Sequence, residues 1–358
     1  MGMPRDAATQ LGQDTDAARG AARAHDPAAA DRAADPDAAT DPDVDPDAAA
    51  ALAADATDDI ATPDSVATPD SVATPDSVAT PDGAASTGVA PQPLQVSQPL
   101  RVSQPWQAPR LWRFLLALSR VVVFAVGRLK VTGDLPTELR NGPALLAINH
   151  IGPFDPIAFV AASRVRRLTP RLMATGGLFR AAIVGRMMRH CGHIRVNRRQ
   201  ADVANALVDV TDALAEGSHV AGYPEGRITL EPGMWPERGK TGLARVALQT
   251  GVPVVPVVQW GAHEVTAWGG WGPMAATTVR SMLRRPVVRV HFGTPVDLSD
   301  LVDGVPGAAQ RATDRIIDAL TDELRALRVD EPRLPRYIDP VRPLTVARRH
   351  RRRVETSG

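Results

Sequence analysis

The chain has 358 residues, 44% of them apolar, and a formal net charge of +1, which bounds it to one or two folded domains. The near-neutral total hides two regions of opposite sign: residues 1–104 hold 18 Asp, 5 Arg and no Lys, a formal −13, so the remainder carries +14. Low hydrophobicity with high net charge excludes a packed core in that first stretch, and a single cysteine, Cys191, excludes an intrachain disulfide and suits a reducing compartment.

Residues 1–105 therefore read as a disordered acidic tail, and its Asp-rich start offers no apolar core of a signal peptide. Two runs repeat every six residues: Ala61-Thr62-Pro63-Asp64-Ser65-Val66 recurs from Ala67 and Ala73, and Gln92-Pro93-Leu94-Gln95-Val96-Ser97 recurs from Gln98. That period is too short for a solenoid unit, and regularly spaced proline favours extended, unpaired backbone. A tether or docking tail is one reading; a solubilising extension without a specific partner is the favoured one.

Order is expected from Trp106, with residues 106–132 as an amphipathic, membrane-associated helix. Leu111 to Val126 is strongly apolar, yet Arg113 and Arg120 interrupt it, whereas a spanning helix needs about 20 predominantly apolar residues. At a step near 100° per residue, Arg110, Arg113, Arg120 and Arg128 fall within roughly 80° of one another. Trp112, Phe114, Leu115, Leu116, Leu118, Val122, Val123 and Val126 occupy the rest of the circumference. Such a helix suits a headgroup layer, with arginines toward phosphates. The alternative is a core-covering helix whose arginines face water.

Residues 133–335 alternate between two periods. Pro143–Ile148, Ile194–Val196, Val220–Tyr223, Val254–Val258 and Val287–Phe292 are short apolar or β-branched runs. Between them Ile157–Arg167, Leu178–His190, Arg199–Glu216 and Thr241–Thr250 predict helices, and Ala308–Leu327 a closing one. Strands alternating with helices predict a single α/β domain with a largely parallel or mixed central sheet flanked by helices. Residues 336–358 read as a basic, disordered tail ending in Arg348-Arg349-His350-Arg351-Arg352-Arg353; beside anionic lipid each basic residue is worth about 1 kcal/mol. Nucleic acid is not an expected partner, because no aromatic platform is interleaved with the charge.

Three places carry chemistry. Ala144 to Ile148 delivers Asn149-His150 at a strand's carboxyl end, the edge where open α/β sheets bind ligands. Asp155-Pro156 follows; Asp155 reads either as a helix cap or as a carboxylate folded back onto the imidazole, leaving the other ring nitrogen free to accept a proton from an alcohol. Gly192-His193-Ile194-Arg195-Val196-Asn197-Arg198 puts arginine after a short strand, suited to bidentate capture of phosphate. Tyr223-Pro224-Glu225-Gly226-Arg227 forms a tight loop with one carboxylate and one more arginine.

Together these segments resemble the lysophospholipid (1-acylglycerol-3-phosphate) acyltransferases of bacterial type. Asn149-His150 with Asp155 matches the family's first block, and Gly192, Ile194, Val196 and Arg198 its second. Tyr223-Pro224-Glu225-Gly226 matches the third, and Val252-Pro253-Val254-Val255-Pro256-Val257 the fourth. Two positions depart: many members carry serine two residues after the histidine, where this chain has Gly152, and many read Glu-Gly-Thr-Arg, where Arg227 here directly follows Gly226.

The resemblance implies an acyl transfer from a thioester of coenzyme A or acyl carrier protein to 1-acylglycerol-3-phosphate, giving phosphatidic acid. In it His150, oriented by Asp155, is the base, while Asn149, Arg198, Pro224, Glu225, Gly226 and Arg227 hold the acceptor. No metal or cofactor is implied, and the expected location is the cytoplasmic face of the cell membrane, peripheral or monotopic. The rival readings are another lysophospholipid or a glycolipid as acceptor, a hydrolase, and a catalytically silent lipid-binding protein. His190-Cys191-Gly192-His193 lacks the spacing of a zinc site, and His263-Glu264 with Trp268 and Trp271 reads as a turn with anchoring aromatics.

Overall fold

The computed structural model describes residues 106–352 except 197–199; the expected acidic tail lies outside the described residues. Within them the β-branched and apolar runs, which pack well on a pleated surface, form one seven-stranded sheet. Its strands are β1 (Arg128–Gly133), β2 (Ala144–Ile148), β3 (Arg171–Thr175), β4 (Ile194–Val196), β5 (His219–Gly222), β6 (Val254–Trp260) and β7 (Val287–Phe292). Their spatial order is β1-β7-β6-β2-β5-β3-β4. The five strands from β6 to β4 run parallel; β7 opposes β6, and β1 runs parallel to β7.

The helices are α1 (Arg110–Val126), α2 (Asp155–Val165), α3 (Gly176–Arg180), α4 (Ala182–His190), α5 (Gln200–Ala215), α6 (Gly242–Thr250), α7 (Trp271–Arg284) and α8 (Ala308–Leu327). Strand β2 is buried along its whole length, as a parallel strand covered on both faces should be. Alternate residues serve opposite layers. Leu145 and Ala147 pack with Leu214, Leu243, Ile316 and Leu320 of α5, α6 and α8, whereas Leu146 and Ile148 pack with Trp112, Leu116 and Phe159 of α1 and α2.

Several expectations change. Strands β1 and β3 and helix α7 were not predicted. The helix expected over Leu178–His190 breaks at Ala181, whose extended ψ of 130° separates α3 from α4. Gly185 sits where that break folds back: a Cβ there would lie 2.2 Å from the carbonyl oxygen of Phe179.

The boundary placed at 132/133 also fails, because it cuts β1, which pairs with β7 from Arg128 to Gly133. Helix α1 is no separate element either: it buries Trp112, Leu116, Val123 and Val126 and packs against α2. Its apolar arc is wide enough to cover the core and still leave Phe114, Leu118, Val121 and Phe124 exposed. Among the described residues no helix is long and apolar enough to cross a membrane.

The expected disorder from residue 336 is corrected as well. Residues 336–352 are irregular but fold back onto the domain. The Thr345 amide donates to Leu230 at 2.8 Å, the Arg238 amide donates to Arg348 at 2.8 Å, and Arg342 is only 6% exposed. Arginines that composition reads as solvated find buried carbonyls instead, and these satisfy them.

Candidate active site

Strand neighbourhood assembles the site. Strand β2 lies between β5 and β6, all parallel, so the loops leaving their carboxyl ends converge where such sheets place ligands. Asn149-His150 leaves β2, Tyr223 to Arg227 leaves β5, and Gly261 to Glu264 leaves β6.

The turn after His150 returns the chain so that Asp155 opens α2 and its carboxylate faces backwards. Asp155 Oδ2 accepts the backbone N–H of Ile151 and of Gly152, the latter at 2.9 Å. It also accepts the His150 Nδ1 proton at 2.8 Å. Asp155 is fully buried, while 16% of the His150 side chain is exposed. A carboxylate on Nδ1 fixes the tautomer and leaves Nε2 as the acceptor. The imidazole stacks on the Tyr223 ring, centroids 4.0 Å apart and planes 21° from parallel. His150 and Asp155 are thus brought together, as the folded-back reading requires; the capping reading is not met, since Phe154 holds the cap position without a side-chain hydrogen bond and the two amides that Asp155 binds precede the helix.

The other expected acceptor contacts fare differently. Asn149 is buried, and its amide bonds the β6 backbone in both directions: Nδ2 donates to Gln259 O at 3.1 Å, and Oδ1 accepts from Gln259 N at 2.8 Å. It staples β2 to β6 and does not line an opening. Glu225 is also fully buried; Oε1 accepts the His150 amide at 3.1 Å and Oε2 the Glu237 amide at 2.8 Å. Burial pushes its carboxyl up to about 8, against the downward pull of those two amides. Glu225 therefore holds the backbone of His150 rather than touching an acceptor. Arg227 forks onto the buried carboxylate of Glu237, at 2.9 and 3.2 Å, so its guanidinium is engaged within the loop and not aimed at a phosphate.

Gly226 has φ +71°, which a side chain would strain, and a Cβ there would come 3.1 Å from Lys240 Cδ. The Lys240 side chain thus lies along the loop, whose Pro224 carbonyl accepts the Lys240 amide at 2.7 Å. Arg198 lies outside the described residues. Gly152, where many members of the resembled family carry serine, packs on the next loop: a Cβ would sit 3.3 Å from His263 Cα. His263 itself is buried, and that burial brings its ring down to about 3, neutral at ordinary pH.

Two arginines were missed. Buried Arg342 donates through Nη1 to Ile151 O at 2.6 Å and through Nη2 to Thr229 O, while the Thr229 amide donates to His150 O at 2.8 Å. Burial lowers Arg342 to about 10, still a cation at neutral pH, and Asp155 and Glu225 both favour that charge. Arg348 Nη2 donates to Glu225 O and Arg238 O, both at 3.0 Å. The folded-back C-terminal segment therefore straps both loops of the site. The available signal was Pro340-Val341-Arg342-Pro343, since two flanking prolines rigidify an arginine that a solvated tail would leave mobile.

The arrangement offers an imidazole backed by a buried carboxylate on Nδ1 and partly exposed, whose Nε2 can take a proton from a hydroxyl. The thiol of Cys191 is buried, and burial raises it, away from the thiolate a nucleophile needs.

Residues 128–260 match the family model described as Acyltransferase, a span that begins with β1 and ends with β6. The chain is similar to a chloroplastic 1-acyl-sn-glycerol-3-phosphate acyltransferase of Brassica napus, 25% identical over 166 residues, which is 46% of this chain and 45% of that protein. The match thus spans about half the length of each. A solved structure, the 1-acyl-sn-glycerophosphate acyltransferase of Thermotoga maritima, is similar at TM-score 0.44 and 17% identity, over 60% of this chain and 80% of that one.

Proposed function

We infer, from the premise that this chain belongs to the acyltransferase family through residues 128–260, that it acylates the free hydroxyl of 1-acylglycerol-3-phosphate and releases phosphatidic acid. The single observation that carries the chemistry is the 2.8 Å contact between His150 Nδ1 and the buried Asp155 carboxylate, with the imidazole partly exposed. His150 Nε2 removes the hydroxyl proton as the oxygen attacks the thioester carbonyl. The tetrahedral oxyanion collapses, the C–S bond breaks, and the imidazolium returns its proton to the leaving thiolate. Asp155 stabilises the imidazolium while it exists. The thioester donor is acyl-coenzyme A or acyl carrier protein. Arg198 is the cation assigned to the acceptor phosphate.

The acceptor class draws support from the activity for which the Brassica napus relative is named. A second acceptor, another lysophospholipid or a glycolipid, is favoured by one observation: Arg227 is engaged with Glu237, which reduces the charge offered to a phosphate. The reaction is proposed to run at a membrane surface, on its cytoplasmic face, because a lysophospholipid resides there and α1 exposes four apolar side chains.

Purified chain with labelled acyl-coenzyme A or acyl carrier protein and a panel of lysophospholipids, read by mass spectrometry, tests the assignment. Labelled phosphatidic acid is the expected product. Acylation of a different acceptor selects the second reading, free fatty acid without any acylated lipid indicates a hydrolase, and no turnover with either donor removes the enzyme reading.

A further inference from the structure

Helix α7 is amphipathic in the unusual sense. Its hydroxyls face the protein: the Thr277 hydroxyl accepts the Ala267 amide at 2.9 Å, Thr278 meets Thr266 at 3.0 Å, and Ser281 is buried. Its apolar residues face out. Trp271, Val279, Met282 and Leu283 are all exposed, Leu283 to 89%. At a step near 100° per residue these four lie within roughly 120°, on one side of the helix. An apolar stripe turned away from the core adds nothing to folding, and contiguous exposed apolar surface of this kind marks an interaction site.

The stripe does not stand alone. Helix α1, packed beside α7, exposes Phe114, Leu118, Val121 and Phe124. Arg285, the residue after α7, joins the ends of the two helices. Its guanidinium donates to Phe124 O at 2.7 Å and lies 4.7 Å from the Phe124 ring centre, while Arg128 Nε donates to the Arg285 carbonyl at 3.2 Å. Phe124 thus adjoins the helix end that carries Met282 and Leu283. Neither helix contains an acidic residue; Arg110, Arg113 and Arg120 lie on α1, Arg280 and Arg284 on α7.

We propose that α7 and α1 form a two-helix docking platform for a bilayer containing anionic lipid, with α7 as the second anchor. The proposal rests on the reading that this chain works on a membrane-resident acceptor, and it adds the surface that does the docking. Apolar side chains enter the interface, Trp271 sits at its polar boundary, and the arginines meet lipid phosphates. The charge pattern selects this occupant over a second copy, since two such faces would bring arginines together with no carboxylate between them. The platform also borders the site: α1 packs on α2, whose first residue is Asp155 and whose Ile157 is exposed in the first turn.

The test is co-sedimentation of the full chain with vesicles of phosphatidylcholine containing phosphatidylglycerol, compared with phosphatidylcholine alone. Wild type sediments with the anionic vesicles, and added salt weakens the binding by screening. The double variant Val279→Glu, Leu283→Glu loses about tenfold or more of its partitioning, because two carboxylates replace buried apolar area and oppose the anionic surface. Its thermal midpoint and its rate on a short-chain, monomeric lysophospholipid stay at wild-type values. A double variant that sediments like wild type overturns the platform. So does one that keeps vesicle binding but shifts from dimer to monomer on gel filtration, which makes the face an interface between copies. Vesicle binding lost in the variant supports the platform even if no acceptor is ever acylated, so the two readings fail separately.

Discussion

Around His150 the chain buries its ionisable groups, whereas along α1 and α7 it exposes its apolar groups. Asp155, Glu225, Glu237 and Arg342 are all 6% exposed or less, and each is held by backbone or side-chain hydrogen bonds. Phe124 and Leu283 are 69% and 89% exposed, and the Phe124 ring meets the Arg285 guanidinium at the surface rather than the core. Both regions invert the usual distribution of polar and apolar groups, with opposite consequences. A buried ionisable group keeps its place only while every partner is present, so the site is coupled to the fold. An exposed apolar side chain is free of the fold, so the docking face can change without disturbing the core. The molecule thus separates chemistry, which needs fixed geometry, from attachment, which needs only area and charge.

Substitutions should separate the two regions in the same way. The largest effect is expected at His150. His150→Gln removes the base but keeps the size and a polar end, and kcat should fall by about 10² to 10⁴, the usual contribution of a general base, with little change in thermal midpoint. Steady-state rates at saturating acceptor check this; a retained rate would show that the imidazole is not the base and that the site region serves folding alone.

Arg342→Met comes next and tests whether the strap is structural. It strands the carbonyls of Ile151 and Thr229 without a donor, which should lower unfolding free energy by about 3 kcal/mol. Urea titration measures it, against Leu283→Glu, where a surface change should stay within about 0.5 kcal/mol. Comparable losses at both positions would mean that the docking face is as tightly coupled to the fold as the site.

The smallest effect is a pH dependence. Burial raises the Glu225 carboxyl from 4.5 to about 8, so between those values the folded chain holds a proton that the unfolded chain has released. That contribution to stability is complete below about pH 4.5 and is lost as pH rises to about 8. Melting temperatures of wild type minus Glu225→Gln should therefore decline across this window. A flat difference would mean that Glu225 stays ionised, held by its two amides.

Much of the fold was legible because its central strands are unambiguous. Val254 to Val258 and Ala144 to Ile148 are continuous apolar runs that only a doubly covered strand explains. Strands β1 and β3 were not, since Arg128-Leu129-Lys130 and Arg171-Leu172-Met173 look like edge or loop sequence until a neighbour pairs with them. Helix α7 escaped for the reason that makes it interesting: its apolar stripe follows a Gly-rich turn and serves no core, so periodicity alone did not distinguish it from a loop.

The same division runs through the site. His150 and Asp155 were readable together because five residues of one turn bind them, and local geometry follows from local sequence. Asn149, Glu225 and Arg227 were placed in the right loops and given the wrong contacts, because their partners Gln259 and Glu237 come from other segments, as does the second amide that Glu225 holds, that of His150. Arg342 was invisible: it lies 191 residues from the Ile151 carbonyl it holds, and nothing in an arginine-rich tail says that it returns. What residue order determined by itself was the alternation of strands and helices, the sheet edge and the imidazole–carboxylate pair. What only tertiary structure decided was which buried charges meet, because a hydrogen bond is set by distance in space, and the chain brings those groups together only after the sheet has closed.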